Sequence, residues 1–249
     1  MLYEYFSDFG KDIISVKKAP KAVPAKKGAG KGAGRAKPEK EQKITLNLSL
    51  MREKLEMILP SRLTLSQDRM IDSSGFSPDG ADFIAYRKYC RDIVKIMNGY
   101  VPCELVHGTF HIVPNLDRAS LYDVVGRVVT VKKIDRFTQS GDEEPIVPIP
   151  AFVIALDTPA HFTELKNDLI NYYMNKSIDH LNEIDIIVIL NKGIVVKNWR
   201  EKRSYIVLET GVDSMLSFFI LMNEYLEMER GKELDFRQYT NRDVQYKEY

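Results

Sequence analysis

Apolar residues fall into short blocks along this chain, and most blocks end at Pro, Gly, Asn or Asp. Several blocks are rich in β-branched and aromatic residues, a composition typical of β-strands. These predicted strands cover residues 82–86, 105–113, 149–156, 184–190, 193–197 and 205–208. The first two should be neighbours in a sheet. Shorter apolar groups at 62–65 and 69–71 predict a hairpin closed by the turn-forming residues that follow them.

Other segments carry the helical spacing of apolar residues. After Asp117, a suitable N-cap, Leu121, Val124 and Val128 recur on one face and predict a helix to about residue 136. Further predicted helices cover residues 51–59, 164–175 and 214–228. Alternation of these helices with strands predicts the α/β class, with a mixed central sheet flanked by helices.

Positive charge is concentrated in one segment, residues 16–43, which holds ten Lys and Arg residues against two glutamates. Its Ala, Gly and Pro content and lack of large apolar residues predict a disordered basic linker. The expected organisation is a 1–15 N-terminal peptide, this linker, a 44–234 α/β domain and a 235–249 polar tail. Lysines that neutralise phosphates bind nucleic acid without sequence preference. The candidate DNA- or RNA-binding residues are Lys17, Lys18, Lys21, Lys26, Lys27, Lys31, Arg35 and Lys37.

Four passages together resemble a bacterial family of unknown function whose core is like that of the PD-(D/E)XK nucleases. They are REKLEMILPSRLTL (52–65), SSGFSPDGADFIAY (73–86), VHGTFHIVPNLDRASL (106–121), and EIDIIVILNKGIVV (183–196) with the late helix at 213–226. The resemblance implies a restriction-endonuclease-like core and a bacterial or phage setting.

The nuclease site of that family uses two carboxylates that bind a divalent metal and a lysine that positions the attacking water. In this chain Asp82 occupies the first acidic position, His111 falls at the glutamate position and Val113 at the lysine position. Asp82 and His111 are therefore the remnant catalytic residues. The resemblance implies a degenerate motif and a protein that is not an active enzyme.

An alternative is a metal-dependent nuclease with a rearranged site, which would use Mg²⁺ or Mn²⁺; otherwise we expect no cofactor and no bound metal. His107 shares the strand of His111, and Glu104 or Asp157 would supply the missing carboxylate. Asp82 would otherwise bind nearby backbone N–H groups, and the histidines would be structural.

Composition excludes several classes of protein. No apolar stretch approaches the roughly 20 residues of a membrane span, and the N-terminus lacks the pattern of a secretory signal, so we expect a cytoplasmic protein without membrane contact. Cys90 and Cys103 lack metal-site spacing. The run GAGKGAGRAK lacks the Gly-Lys-Ser/Thr ending of a nucleotide-binding loop.

Our leading prediction is a catalytically inactive, nuclease-like domain that acts as a binding or regulatory module, with nucleic acid or an acidic protein bound by the basic linker. A second alternative is an interaction scaffold, in which residues 1–10 form a partner-binding peptide. Its anchors would be Tyr3, Tyr5, Phe6 and Phe9.

Overall fold

The structure is a computed structural model, and it describes residues 4–6, 8, 17–18, 45–135 and 148–227. Its strands are β1 (Lys17–Lys18), β2 (Thr45–Leu46), β3 (Leu63–Ser66), β4 (Arg69–Ile71), β5 (Phe83–Arg87), β6 (Tyr100–Pro102), β7 (Val106–Val113), β8 (Ala151–Ala155), β9 (Ile186–Ile189), β10 (Gly193–Lys197) and β11 (Tyr205–Leu208). Its helices are α1 (Leu48–Glu56), α2 (Arg91–Ile96), α3 (Arg118–Lys132), α4 (Phe162–Asn175) and α5 (Ser214–Glu227).

A seven-stranded mixed sheet in the order β11-β10-β9-β8-β7-β5-β3 forms the centre of the fold. Strands β7, β8 and β9 run parallel to one another, and the remaining neighbours are antiparallel. Helix α3 lies in the connection between the parallel strands β7 and β8, as such a crossover requires. The predicted α/β class and the pairing of β5 with β7 are confirmed.

Both faces of the sheet are buried, which explains the continuous apolar runs of its central strands. On β8, Phe152 and Ile154 point into a core that includes Met51 of α1 and Phe218 of α5. Val153, between them in sequence, points into the opposite core with residues of α3 and α4. Alternate residues of one strand thus belong to two different cores.

Helix α3 begins where the sequence predicts. The Asp117 carboxylate accepts a hydrogen bond from the Ser120 N–H at 2.8 Å, and the Ser120 hydroxyl accepts one from the Asp117 N–H at 2.9 Å. This reciprocal capping satisfies two backbone donors at the helix start. This capping fixes the residue at which α3 begins. Further along the same helix, Arg127 contacts Asp82, the predicted catalytic residue.

The predicted hairpin at 62–71 is wrong. Strand β3 pairs with β5 in the central sheet, whereas β4 pairs in parallel with β6 in a separate two-stranded sheet. Met70 of this small sheet and Val94 of α2 belong to a third buried cluster. Pairing and burial against distant partners therefore outweigh the turn signal that follows β4.

Near the N-terminus, Phe6 is buried and packs against Phe219 at 4.8 Å between ring centroids. This contact corrects the expectation that Phe6 anchors a partner, because its ring is already covered by the chain's own core. Lys17–Lys18 pair antiparallel with Thr45–Leu46. The rest of the predicted linker, Tyr3, Phe9 and the 235–249 tail lie outside the described residues.

Candidate functional site

Asp82 lies beside the carboxyl-terminal half of β7, where the resemblance places the first acidic residue. Its N–H donates to Phe110 O at 2.9 Å, which aligns the start of β5 with β7. Its carboxylate Oδ2 accepts a hydrogen bond from the Ile112 N–H at 2.6 Å. The sheet itself therefore holds one oxygen of this carboxylate.

A guanidinium contacts the same oxygen. Arg127 Nη1, from α3, lies 3.3 Å from Asp82 Oδ2 and donates to Gly80 O at 3.3 Å. On its other side, Arg127 Nε lies 3.2 Å from Asp123 Oδ2, one helical turn away. The Asp82 and Arg127 side chains are only 23% and 29% exposed. A fixed positive charge thus stands against the carboxylate that would carry a metal in a nuclease.

The backbone of the loop before β5 comes close to α3 at Gly80. Its φ of +141° lies outside the range that side chains adopt readily, and an added Cβ would lie 3.2 Å from Arg127 Cβ. The absence of a side chain lets the backbone carbonyl reach both Arg127 and His111. Gly80 therefore joins the loop before β5 to α3 and β7.

His111 is fully buried and neutral. Its Nδ1 lies 2.9 Å from Gly80 O, so Nδ1 carries the proton in the neutral ring. Nε2 lies 3.4 Å from the Thr109 hydroxyl. Burial, with the nearby charge of Arg127, lowers the pKa of His111 to about 3. The ring is a buried structural hydrogen-bonding group in this arrangement.

These residues do not fit the magnesium or manganese ion that an active nuclease would hold. Hard cations require several oxygen ligands, yet Oδ2 of the one carboxylate here faces a guanidinium, and the neighbouring side chains on β7 are the neutral imidazole of His111 and the apolar Val113. Among the residues that the structure describes, no three His, Cys, Asp or Glu side chains form a metal-binding group.

The other predicted candidates lie apart from Asp82. His107 Nε2 contacts Arg87 Nε at 3.1 Å, and Glu104 belongs to a turn before the start of β7. Asp157 follows β8, where its Oδ1 lies 3.1 Å from Lys192 Nζ. The structure therefore brings together Asp82 and His111 but adds neither of the proposed replacement carboxylates. Arg127, which sequence reasoning missed, is the third member.

A second polar group, the buried ion network, lies around the starts of β8 and β9 and was also missed. We define it as Lys132, Glu183, Asp185 and Lys197. Lys132 Nζ donates to Asp185 Oδ2 at 2.5 Å, with side chains 0% and 1% exposed. Asp185 Oδ2 also accepts from the Ala151 N–H at 2.8 Å, at the start of β8.

Glu183 and Lys197 form the looser half of this network, with Oε2 and Nζ 4.0 Å apart and both side chains fully buried. Burial raises the pKa of Glu183 and lowers the pKa of Lys197 to about 8. Glu183 Oε2 also contacts His180 Nδ1 at 3.1 Å and the Tyr205 hydroxyl at 3.4 Å. The signal in the sequence was the placement of Glu183, Asp185 and Lys197 at the ends of strongly apolar strands.

None of the predicted nucleic-acid contacts can be placed on this site. Lys17 and Lys18 form β1, and Lys21 to Lys37 lie outside the described residues. Within the described residues, no helix has the length and apolar character needed to cross a bilayer.

No protein-family model and no curated protein matches the chain. Among solved structures it is similar to NucC from P. aeruginosa ATCC27853 in a cAAA-bound form, with a TM-score of 0.69, 15% identity and 96% of each chain covered. It is also similar to the cAAA-bound form of E. coli MS115-1 NucC, with a TM-score of 0.67, 15% identity and 96% of each chain covered. The apo form of that E. coli protein gives a TM-score of 0.63 and 16% identity over 77% of this chain and 88% of NucC. The chain thus has a mixed α/β fold of the restriction-endonuclease-like class.

Proposed function

We propose that this chain is a catalytically inactive member of the nuclease-like fold that acts as a binding or regulatory module. The observation that carries the proposal is the contact between Arg127 Nη1 and Asp82 Oδ2 at 3.3 Å. A guanidinium is charged at every physiological pH and cannot activate water as a metal ion does. It balances the charge of Asp82 at the oxygen that it contacts, Oδ2.

The neighbouring positions support the same proposal. Nδ1 of His111 is committed to Gly80 O, and the low pKa of His111 leaves the ring neutral at physiological pH. Val113 is buried and apolar, so it neither donates a proton nor stabilises a developing negative charge. In this proposal the retained polar groups hold β5, β7 and α3 together.

The test is incubation of the purified chain with labelled single- and double-stranded DNA and RNA in the presence of Mg²⁺ or Mn²⁺. The control is Asp82→Ala. We expect no cleavage by either protein. Equal cleavage by both would come from a contaminant or from a site elsewhere. Cleavage by the wild type that Asp82→Ala abolishes would overturn the proposal and establish the alternative, a nuclease with a rearranged site.

Nucleic acid is the binding partner that we propose for the basic segment. Its lysines would neutralise phosphates and release counterions, so the affinity should fall steeply with salt. The variant Lys26→Gln/Lys27→Gln should weaken binding, whereas Lys133→Gln/Lys166→Gln makes the same change in charge on the folded domain. Equal loss in the two double variants would assign binding to net charge rather than to the segment. Binding that does not respond to salt would argue for an acidic protein partner or a scaffold role.

The NucC structures also suggest a small ligand for the same experiments, because two of them are cAAA-bound forms. We propose cAAA as the first small molecule to test for binding to this chain. Calorimetric titration of the full chain would give the result directly. Binding of cAAA without nuclease activity would favour a regulatory module, and no binding would leave nucleic acid as the proposed ligand.

A further inference from the structure

An open cleft of about 770 Å³ lies between the connection from α4 to β9 and the loop from β10 to β11. We call it the basic cleft and define it by Ser177, Asp179, His180, Lys202 and Arg203. Its volume is in the range of small-molecule and cofactor sites. It lies near the buried ion network, away from Asp82.

The charge of the cleft favours an anion. Lys202 and Arg203 are exposed, and in the described part of the chain neither has a carboxylate within ion-pair distance. Asp179, the acidic residue of the lining, accepts a hydrogen bond at Oδ1 from the Leu181 N–H at 2.8 Å and keeps its negative charge, which the two cations outweigh by one. Positive charge at the cleft is therefore available to a ligand.

Two residues of the buried ion network, Glu183 and Lys197, hold His180 in place. Its Nδ1 lies 3.1 Å from Glu183 Oε2, and Glu183 is fully buried. Lys197 Nζ donates to the His180 carbonyl oxygen, which fixes the backbone. Because Nδ1 is committed to Glu183, a ligand in the cleft would meet Nε2. The carboxylate at Nδ1 therefore orients the imidazole ring.

An aromatic ring outside the cleft lining contacts one of its residues, His180. Trp199, the only tryptophan of the chain, is 42% exposed, and its ring centroid lies 5.5 Å from that of His180. Lys197 Nζ lies 3.8 Å from the centroid of the indole, and the indole N–H donates to the Tyr225 hydroxyl at 3.0 Å. The indole is thus fixed in orientation with part of its surface open to solvent.

The backbone of the cleft is strained on both sides. Ser177 has a φ of 50° and Arg203 a φ of 58°, in the left-handed region that favours glycine or asparagine. An arginine at such a position costs stability relative to asparagine, so stability does not explain the presence of arginine here. Phosphate binding by the guanidinium would explain it.

We propose that the basic cleft binds the phosphate group of a nucleotide, with Lys202, Arg203 and His180 on the phosphate and Trp199 against the base. The nucleotide is either free or the end of a nucleic-acid chain, since both present the same phosphate and ring. This site goes beyond the proposed loss of nuclease activity and does not depend on it.

The test is titration of the full-length chain with AMP while the fluorescence of Trp199 is recorded, and equilibrium dialysis with labelled AMP as an independent measurement. We expect saturable binding of AMP and weaker binding of inorganic phosphate. Adenosine, which lacks the phosphate, should not bind. A short oligonucleotide with a 5′-phosphate that binds more tightly than AMP would identify a nucleic-acid end as the ligand, and the reverse order a free nucleotide.

Arg203→Asn separates binding from folding. Asparagine tolerates the left-handed backbone, so the variant should melt at the wild-type temperature or above it, while AMP affinity falls about tenfold or more through loss of the charged hydrogen bonds. Lys133→Gln removes an exposed cation outside the cleft and should leave the affinity unchanged. The proposal is overturned if AMP shows no saturable binding by dialysis, or if Arg203→Asn and Lys133→Gln bind AMP equally well. Neither outcome bears on the nuclease assay, and cleavage dependent on Asp82 would leave the cleft proposal intact.

Discussion

The fold contains two polar groups, the Asp82–Arg127 pair and the buried ion network, and they differ in how their charges are balanced. At Asp82, one carboxylate meets one guanidinium at 3.3 Å while both side chains keep some contact with solvent. In the buried ion network, Lys132 and Asp185 meet at 2.5 Å with no exposure, and Glu183 and Lys197 lie 4.0 Å apart. The Asp82–Arg127 pair is therefore the less buried of the two. Because an unpaired charge costs more when it is buried, loss of a partner should destabilise the buried ion network more than the Asp82–Arg127 pair.

The largest effect should come from the buried ion network. Lys132→Met leaves Asp185 charged and buried, which should lower the free energy of unfolding by about 3–5 kcal/mol. Urea denaturation measures this loss. Lys133→Met, at the exposed neighbouring position, should change stability by no more than about 0.5 kcal/mol. Lys132→Met/Asp185→Leu should recover part of the loss, and equal losses in the two single variants would show that the ion pair is not important for stability.

His111 should make the free energy of unfolding depend on pH in the acidic range. Its pKa is lowered from 6.5 to about 3 in the folded state, so between these values the unfolded chain binds a proton that the folded chain excludes. Stability should therefore fall as pH decreases from 6.5 towards 3, by on the order of 4 kcal/mol for this residue. Glu183 acts in the opposite direction in acid, because its pKa is raised.

The comparison of wild type with His111→Gln isolates that effect. Urea denaturation at several pH values should show a smaller decrease in acid for the variant than for the wild type. Parallel stability curves over this range would contradict a buried neutral His111.

Asp82→Asn should have a moderate effect. It removes the charge that faces Arg127 and weakens the hydrogen bond with the Ile112 N–H, with an expected loss of about 1–3 kcal/mol. Asp123→Asn removes the other carboxylate near Arg127. The side chain of Asp123 is 72% exposed, so this variant should lower the free energy of unfolding by less than about 0.5 kcal/mol. Thermal or urea denaturation of the two variants compares them directly. Equal effects would show that Asp82 has no special role in joining β5, β7 and α3.

The smallest effect should come from an exposed ion pair that belongs to neither group. Lys95 Nζ lies 3.0 Å from Asp92 Oδ1, with side chains 77% and 88% exposed. Solvent screening leaves such pairs with little net energy, so Lys95→Ala should change the free energy of unfolding by no more than about 0.5 kcal/mol. A larger loss in urea denaturation would show that α2 depends on this contact.

Most strands and long helices of the fold could be predicted because the spacing of apolar residues in each segment indicates which positions are buried. Strands β8 and β9 are apolar on both faces, and the capping residue Asp117 marks the start of α3. The short helix α2 and the strand β6 were missed, since each is too brief to show a period. The pairing of β3 and β4 was predicted wrongly because a local turn signal says nothing about distant partners.

The candidate site was likewise predicted only in part. Asp82 and His111 were found by resemblance, and antiparallel pairing of β5 with β7 brings them together. Arg127 was not found, because a lone arginine on a largely apolar helix is no signal until the helix is packed on the sheet. Its reach to Asp82 depends on how α3 crosses from β7 to β8.

The amino-acid sequence was sufficient to predict the α/β class and most of the longer strands and helices. Local propensity, alternation of burial and capping chemistry suffice for that. The three-dimensional packing was needed to show that Arg127 faces Asp82, that four ionisable side chains meet around the starts of β8 and β9, and that His180, Lys202 and Arg203 share a cleft. Those contacts join residues far apart in the chain, and their geometry follows from packing across the sheet rather than from any local pattern.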